Sequence, residues 1–163
     1  MRHHKWILSG VLAAGMAMAM AGGSASQTPE EVVKARQDAM GQMGKTFGVI
    51  VPIVKGENPN VTDAVPAATT VNDIAKKLKA VFPAGTGRDI VPKSRAKPEV
   101  WSKRAEFEAA ADKLVAESAK LVDAAKTGNI DTFLAQFKVY VGACGGCHDG
   151  PKKDGGKFRY AEQ

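Results

Sequence analysis

Near the end of the chain two thiols and one imidazole fall within five residues. They are Cys144, Cys147 and His148, in the stretch GACGGCHDG (142–150). The spacing C-x-x-C-H admits three kinds of chemistry. The side chains can clip a metal ion, cycle as a thiol–disulfide pair, or hold a larger group covalently. On a helix they stand at i, i+3 and i+4 and share one face. Phe133, Phe137 and Tyr140 come before them at helical spacing and continue that face with apolar rings. A flat apolar ligand could lie along such a stripe and be pinned at its end.

The start of the chain narrows the choice. MRHHK is basic, WILSGVLAAGMAMAMA is apolar, and AGGSAS supplies small residues. This is the three-part pattern of a secretory signal peptide, expected over residues 1–25, with cleavage after Ala25 and Ala21 as second choice. A retained anchor is disfavoured, because the apolar run of about 15 residues is short of the roughly 20 that span a bilayer. Cleavage removes Arg2 and Lys5, two of the six net positive charges, and leaves His148 as the only histidine. Of six methionines, Met40 and Met43 remain.

These losses weigh against zinc. A structural zinc site takes four protein ligands. The mature chain offers two Cys and one His, so a carboxylate such as Asp149 or Asp154 would have to complete the set. A redox thiol pair is expected at a helix N-terminus beside a βαβ pattern, not late in a helical chain. A purely structural disulfide would close so short a loop that it constrains little. Covalent haem fits best. Each thiol adds across a haem vinyl group and the histidine binds iron. Gly145 and Gly146, poor helix formers, leave room beside a large ring. Export agrees, because c-type haem is attached outside the cytoplasm.

The remaining elements must position that motif. The 163 residues are 44% hydrophobic and 25% charged, which suits one modest globular domain. TPEE (28–31) reads as a helix start, with Thr28 as cap, Pro29 in the first turn and Glu31 closing a capping box. The helix should run to about Lys55. Val33, Met40, Met43, Phe47, Ile50 and Val54 form its apolar face, and Pro52 should kink its last turn. Gly41, Gly44 and Gly48 would let another body approach closely. After the turn KGENPN, a second helix should end near Phe82, with Val71, Ile74, Leu78 and Val81 inward. The loop PAGTGRDIVPKSRAK follows (83–97). Pro98 should open a single long third helix carrying Trp101, Phe107, Leu114, Leu121 and Val122 and capped near Gly128. A fourth helix, from about 129–131, carries the motif. No strand alternation or internal repeat is visible. The expected fold is all-α, an antiparallel up-down-up-down four-helix bundle over residues 26–149, followed by a basic Gly-rich tail, 150–163.

An attachment motif on the last helix of four is unusual for c-type cytochromes, which mostly carry it near the N-terminus. With EEVVKARQDAM, VKGENP, KPEVWSKRAEF and ACGGCHD in that order, the chain resembles the cytochrome c-prime family, the class II c-type cytochromes. The resemblance covers about residues 28–149. It implies one covalent haem inside the bundle, held by Cys144 and Cys147, with His148 as proximal iron ligand. It puts Met40, on the first helix, at the other iron face, and Arg36 at a basic position that approaches a haem propionate. Arg36 could equally be a solvated surface charge. Met43, one turn from Met40, is the spare sulfur, and both are also ordinary core residues. Phe47, Phe133, Phe137 and Tyr140 are pocket candidates. Trp101 reads as helix packing rather than an electron path.

The family splits at the distal site. Typical members are five-coordinate and high-spin and can admit nitric oxide or carbon monoxide. A smaller branch has a methionine sulfur as sixth ligand and carries electrons. The first helix and KPEVWSKRAEF look closer to the second branch. One departure stands out. Members usually have an aromatic–Arg pair two or three residues past the histidine, whereas here GPKKDGGK intervenes before Phe158 and Arg159. No haem role is therefore carried onto Arg159. The tail lysines could offer a basic surface to an acidic redox partner, although simple solvation explains them as well.

The expectation is a periplasmic monohaem electron carrier, not an enzyme. Its partners would be other redox proteins and, as the resemblance implies, a second copy of itself. Neither nucleic acid nor, after cleavage, a membrane is expected. The alternative is a five-coordinate protein that binds nitric oxide or carbon monoxide.

Overall fold

A computed structural model describes residues 27–148 and 155–161. The expected signal peptide, and half of the tail (150–154 and 162–163), lie outside the described residues. Among the described residues there are five α-helices: α1 (Pro29–Val54), α2 (Ala64–Lys77), α3 (Glu99–Ser102), α4 (Arg104–Lys126) and α5 (Ile130–His148). Four of them are long and α3 is a single turn. Among the described residues there is no strand, only an isolated bridge between Ala96 and Arg159.

Local chemistry sets most helix ends. Thr28 and Glu31 form the expected capping box at the start of α1, with reciprocal bonds of 2.8 and 3.2 Å. At the other end Gly56 takes φ +75°. Its amide donates to Ile53 and that of Glu57 to Pro52, the paired bonds of a Schellman stop. Pro52 lies inside the last turn. Gly128, at φ +67°, ends α4 in the same left-handed region. The Asn129 side chain then accepts from Thr132 and starts α5.

Two elements depart from expectation. The second helix is α-helical only to Lys77, and Leu78–Val81 tightens to a 3-10 turn. Phe82 leaves the helical region (φ −123°, ψ 56°), as suits a residue before proline. The long third helix is broken at Lys103 (φ −118°, ψ 46°) into α3 and α4. Tertiary bonds hold the break. The Trp101 indole donates to Phe82 and Pro83 carbonyls, and Arg104 to those of Phe82 and Lys79.

α1 packs on α2, α2 on α4, and α4 on α5. Ile50, Ile53, Val71, Leu121, Phe133 and Tyr140 are buried in the main core. Asn72 on α2 reaches across it to Ser118 and the Val115 carbonyl on α4. Such a polar node must be fully bonded to survive burial. A smaller cluster of Ala96, Val100, Phe107 and Phe158 closes the end of the bundle where α5 stops. Gly41, Gly44 and Gly48 do not receive a neighbour from within the described chain, since a Cβ on any of them would meet nothing within 4 Å. No helix among the described residues is long and apolar enough to cross a membrane.

Candidate functional site

α5 carries its rings and its thiols in one line. Phe133 and Tyr140 are fully buried, Phe137 is half-buried, and Cys144 and Cys147 follow half-buried in the last turn. Phe133 and Phe137 stack at 6.3 Å, and Phe137 and Tyr140 lie 6.2 Å apart. From α1, Phe47 meets Phe137 edge-on at 6.1 Å and stacks with Tyr140 at 6.3 Å. Aromatic side chains thus span the gap between the first and last helices. Met43 is buried in this core, and Met40, Phe47, Phe137 and Cys144 pack against it half-buried. Every aromatic and sulfur candidate except Cys147 belongs to that one cluster. Cys147 borders the smaller one.

The electrostatics do not suit a redox pair. Burial, then the neighbouring Cys144, raise the Cys147 thiol above its ordinary value, while Lys157 pulls the other way. Burial, then contact with Cys144, raise the Tyr140 phenol. Catalytic redox thiols are the reverse: electropositive surroundings lower them. These two thiols also lie at the C-terminal end of α5, the wrong pole of a helix for stabilising thiolate. The carboxylates that would complete a metal clip, Asp149 and Asp154, lie outside the described residues. Among the described residues no group of three or more His, Cys, Asp or Glu side chains converges on one point. Haem needs less of the chain than zinc does: two thiols and one axial imidazole on one helix face. The residues present fit it, with an aromatic wall beside them and open space at Gly142 and Gly146, where a Cβ would meet nothing within 4 Å.

Arg36 is not the solvated charge that was one reading of it. It is 4% exposed. Its guanidinium donates to the Thr86 hydroxyl (3.2 Å), the Thr86 carbonyl (3.1 Å), Ser94 Oγ (2.9 Å) and the Val81 carbonyl (3.4 Å). It also lies 4.4 Å over the Phe82 ring. Burial lowers its pKa to about 10, so it remains a cation at neutral pH. None of these hydrogen-bond acceptors is a carboxylate. Trp101 clamps the Phe82–Pro83 segment just past the 3-10 turn that follows α2, in line with a packing role.

The tail is the segment whose course the sequence leaves open. Residues 155–161 return to the motif. Phe158 is buried, 5.5 Å from the Phe107 ring, and its amide donates to the Cys147 carbonyl at 3.3 Å. Lys157 is exposed and pairs with Glu106 on α4, while Lys152 and Lys153 lie outside the described residues. The available signal was slight: one phenylalanine and a Gly-Gly pair in an otherwise polar segment.

Comparison with known proteins agrees with this geometry. A family model described as Cytochrome C' matches residues 31–150. A cytochrome c' of Rubrivivax gelatinosus is 37% identical over 124 residues, spanning 76% of this chain and 95% of the relative. A cytochrome c-556 of Rhodopseudomonas palustris is 33% identical over 132 residues, spanning 77% of this chain and 85% of its own. Among solved structures, a ferrous variant of Alcaligenes xylosoxidans cytochrome c-prime with bound nitric oxide superposes with a TM-score of 0.71 at 28% identity. It covers 84% of this chain and 99% of the other.

Proposed function

Since this chain belongs to the cytochrome c' family, whose members carry one covalently attached c-type haem, we propose that it is a one-electron carrier with haem iron held between His148 and Met40, working in the periplasm after export. The haem, when bound, supplies the one-electron iron couple.

The chain's own residues do the rest. Cys144 and Cys147 provide the two thiols for attachment, and their side chains share a helix face with His148. His148 provides the proximal nitrogen. Phe47, Phe133, Phe137 and Tyr140 exclude water, which keeps the surroundings of the iron from reorganising when an electron moves. A thioether donor from Met40 favours the reduced state. Arg36 contributes a buried cation with no carboxylate among its hydrogen-bond acceptors, a charge that a propionate would balance.

The observation that carries this reading is that Met40 on α1 and Cys144 on α5 pack against one and the same apolar cluster. Relatives named cytochrome c-556 are consistent with a low-spin branch. A second reading, a five-coordinate gas-binding site, is favoured by the nitric oxide bound in the Alcaligenes xylosoxidans variant.

One spectrum separates the two. The holoprotein is recorded oxidised, reduced, and reduced under carbon monoxide. Sharp low-spin bands, a weak sulfur–iron charge-transfer band and indifference to carbon monoxide are expected. Broad high-spin bands that shift with carbon monoxide would instead make Met40 a packing residue and the site a gas-binding one.

A further inference from the structure

The last four carbonyls of any helix lack partners within it, so a helix end frays unless something outside caps it. In α5 that end holds Cys147 and His148. The cap comes from ten residues further along the chain. The Phe158 amide donates to the Cys147 carbonyl. Gly156 presses on the same turn: a Cβ there would lie 2.6 Å from His148 Cα, and closer still to the Cys147 carbonyl oxygen. Gly155, at φ +74°, makes the turn that permits this approach. The Phe158 ring is buried against Phe107, and Lys157 ties the segment to Glu106.

The same segment is bonded on its other side to the 83–97 loop. The Lys97 amide donates to the Phe158 carbonyl at 3.0 Å, and the Tyr160 amide to the Arg95 carbonyl at 2.9 Å. The Arg88 guanidinium sits 4.1 Å over the Tyr160 ring. That loop is in turn fixed to α1 by Arg36, through Thr86 and Ser94. A continuous set of bonds therefore runs from the turn holding His148 to the helix holding Met40.

We propose that residues 155–160 form a capping strap that positions His148, joining the end of α5 through the 83–97 loop to the helix that carries Met40. Gly156, Phe158 and Arg36 are its positioning residues. This rests on the reading of His148 as iron ligand. Without the strap, the Cys147 carbonyl would lose this donor and the last turn of α5 would loosen around His148.

The test uses the holoprotein and its Gly156→Ala, Phe158→Ala and Phe158→Leu variants. Two readouts are taken: amide hydrogen exchange, and the ferric haem signal, its line widths by electron paramagnetic resonance and its histidine nitrogen couplings by electron–nuclear double resonance. Gly156→Ala and Phe158→Ala should speed exchange in the last turn of α5 by about tenfold or more, a local opening that a lost buried ring can produce. They should broaden or split the ferric signal, while exchange in the α2 and α4 core stays as it was. Phe158→Leu, which keeps an apolar plug, should restore most of both. An unchanged ferric signal in the alanine variants overturns the proposal, as does exchange that rises evenly across the bundle. Lack of histidine nitrogen coupling in the unmodified protein instead overturns the assignment of His148, a distinguishable failure.

Discussion

Arg36 and Ser94, 58 residues apart in sequence, are joined by a 2.9 Å hydrogen bond in the protein interior. The bond secures the 83–97 loop to α1. Without the guanidinium, the Thr86 and Ser94 oxygens would lose their charged donor. Each keeps a second contact, since Thr86 Oγ1 donates to Pro83 and Ser94 Oγ to the Thr86 carbonyl. The expected cost of Arg36→Met is therefore moderate, about 2 kcal/mol. Urea unfolding measures it. Faster tryptic cleavage after Arg88, Lys93 or Arg95 should accompany it. A variant as stable as the parent would mean the loop does not depend on this anchor.

The two methionines of α1 should behave differently. Met40→Ala should abolish the sulfur–iron band and let carbon monoxide bind the reduced protein, with a modest stability change because Met40 is only half-buried. Met43, 8% exposed within the main core, should leave the spectrum unchanged on truncation and cost about 2–4 kcal/mol. If Met43→Ala were the variant that opened the iron, the sixth ligand would be Met43.

Loss of one thiol should be visible in the haem itself. Cys144→Ser leaves one thioether, so the alkaline pyridine haemochrome band should move to the position of a haem with one vinyl group intact. His148→Ala should instead keep the covalent bond and lose the proximal nitrogen. An unshifted band in Cys144→Ser would remove Cys144 from the attachment.

The Glu106–Lys157 pair makes tail docking mildly pH-dependent. The hydrogen bond and then the charge of Lys157 hold the Glu106 carboxyl below its ordinary 4.5, with a smaller contribution from Lys103. A folded pKa below the unfolded one gives stability that is present above about pH 4.5 and lost as pH falls through the lower, folded value. Both side chains are exposed, so the effect should be small. The ratio of exchange rates at 155–161 between Glu106→Gln and the parent should exceed one at pH 6 and approach one at about pH 3. A ratio that does not change with pH would separate the tail from this pair.

A left-handed glycine offers a purely local check. Gly128 has φ +67° between α4 and α5. Gly128→Ala should cost about 1–2 kcal/mol through backbone strain, read as a lower urea midpoint with an unchanged haem spectrum. No loss of stability would mean that the turn relaxes to another geometry.

The sequence by itself determined whatever depends on residues near one another along the chain. The capping box of Thr28 and Glu31 and the stop at Gly128 are set within a few residues, and both were legible. So were the four long helices, because each repeats its apolar positions every three or four residues. The line from Phe133 to His148 follows from helical spacing alone, and ACGGCHD at its end is one of the four segments that carry the family resemblance. Tertiary structure decided what depends on distant partners. Nothing local to Lys103 requires a break; it is held by Trp101 and Arg104 reaching the Phe82 carbonyl, just past the 3-10 turn that follows α2. Arg36 looks like any surface arginine until Thr86 and Ser94 fold over it. Phe158 looks displaced from the motif until its amide meets the Cys147 carbonyl. A chain pattern records which face of a helix is apolar, but not which remote carbonyl will need a donor, and that need is met only once the helices have packed.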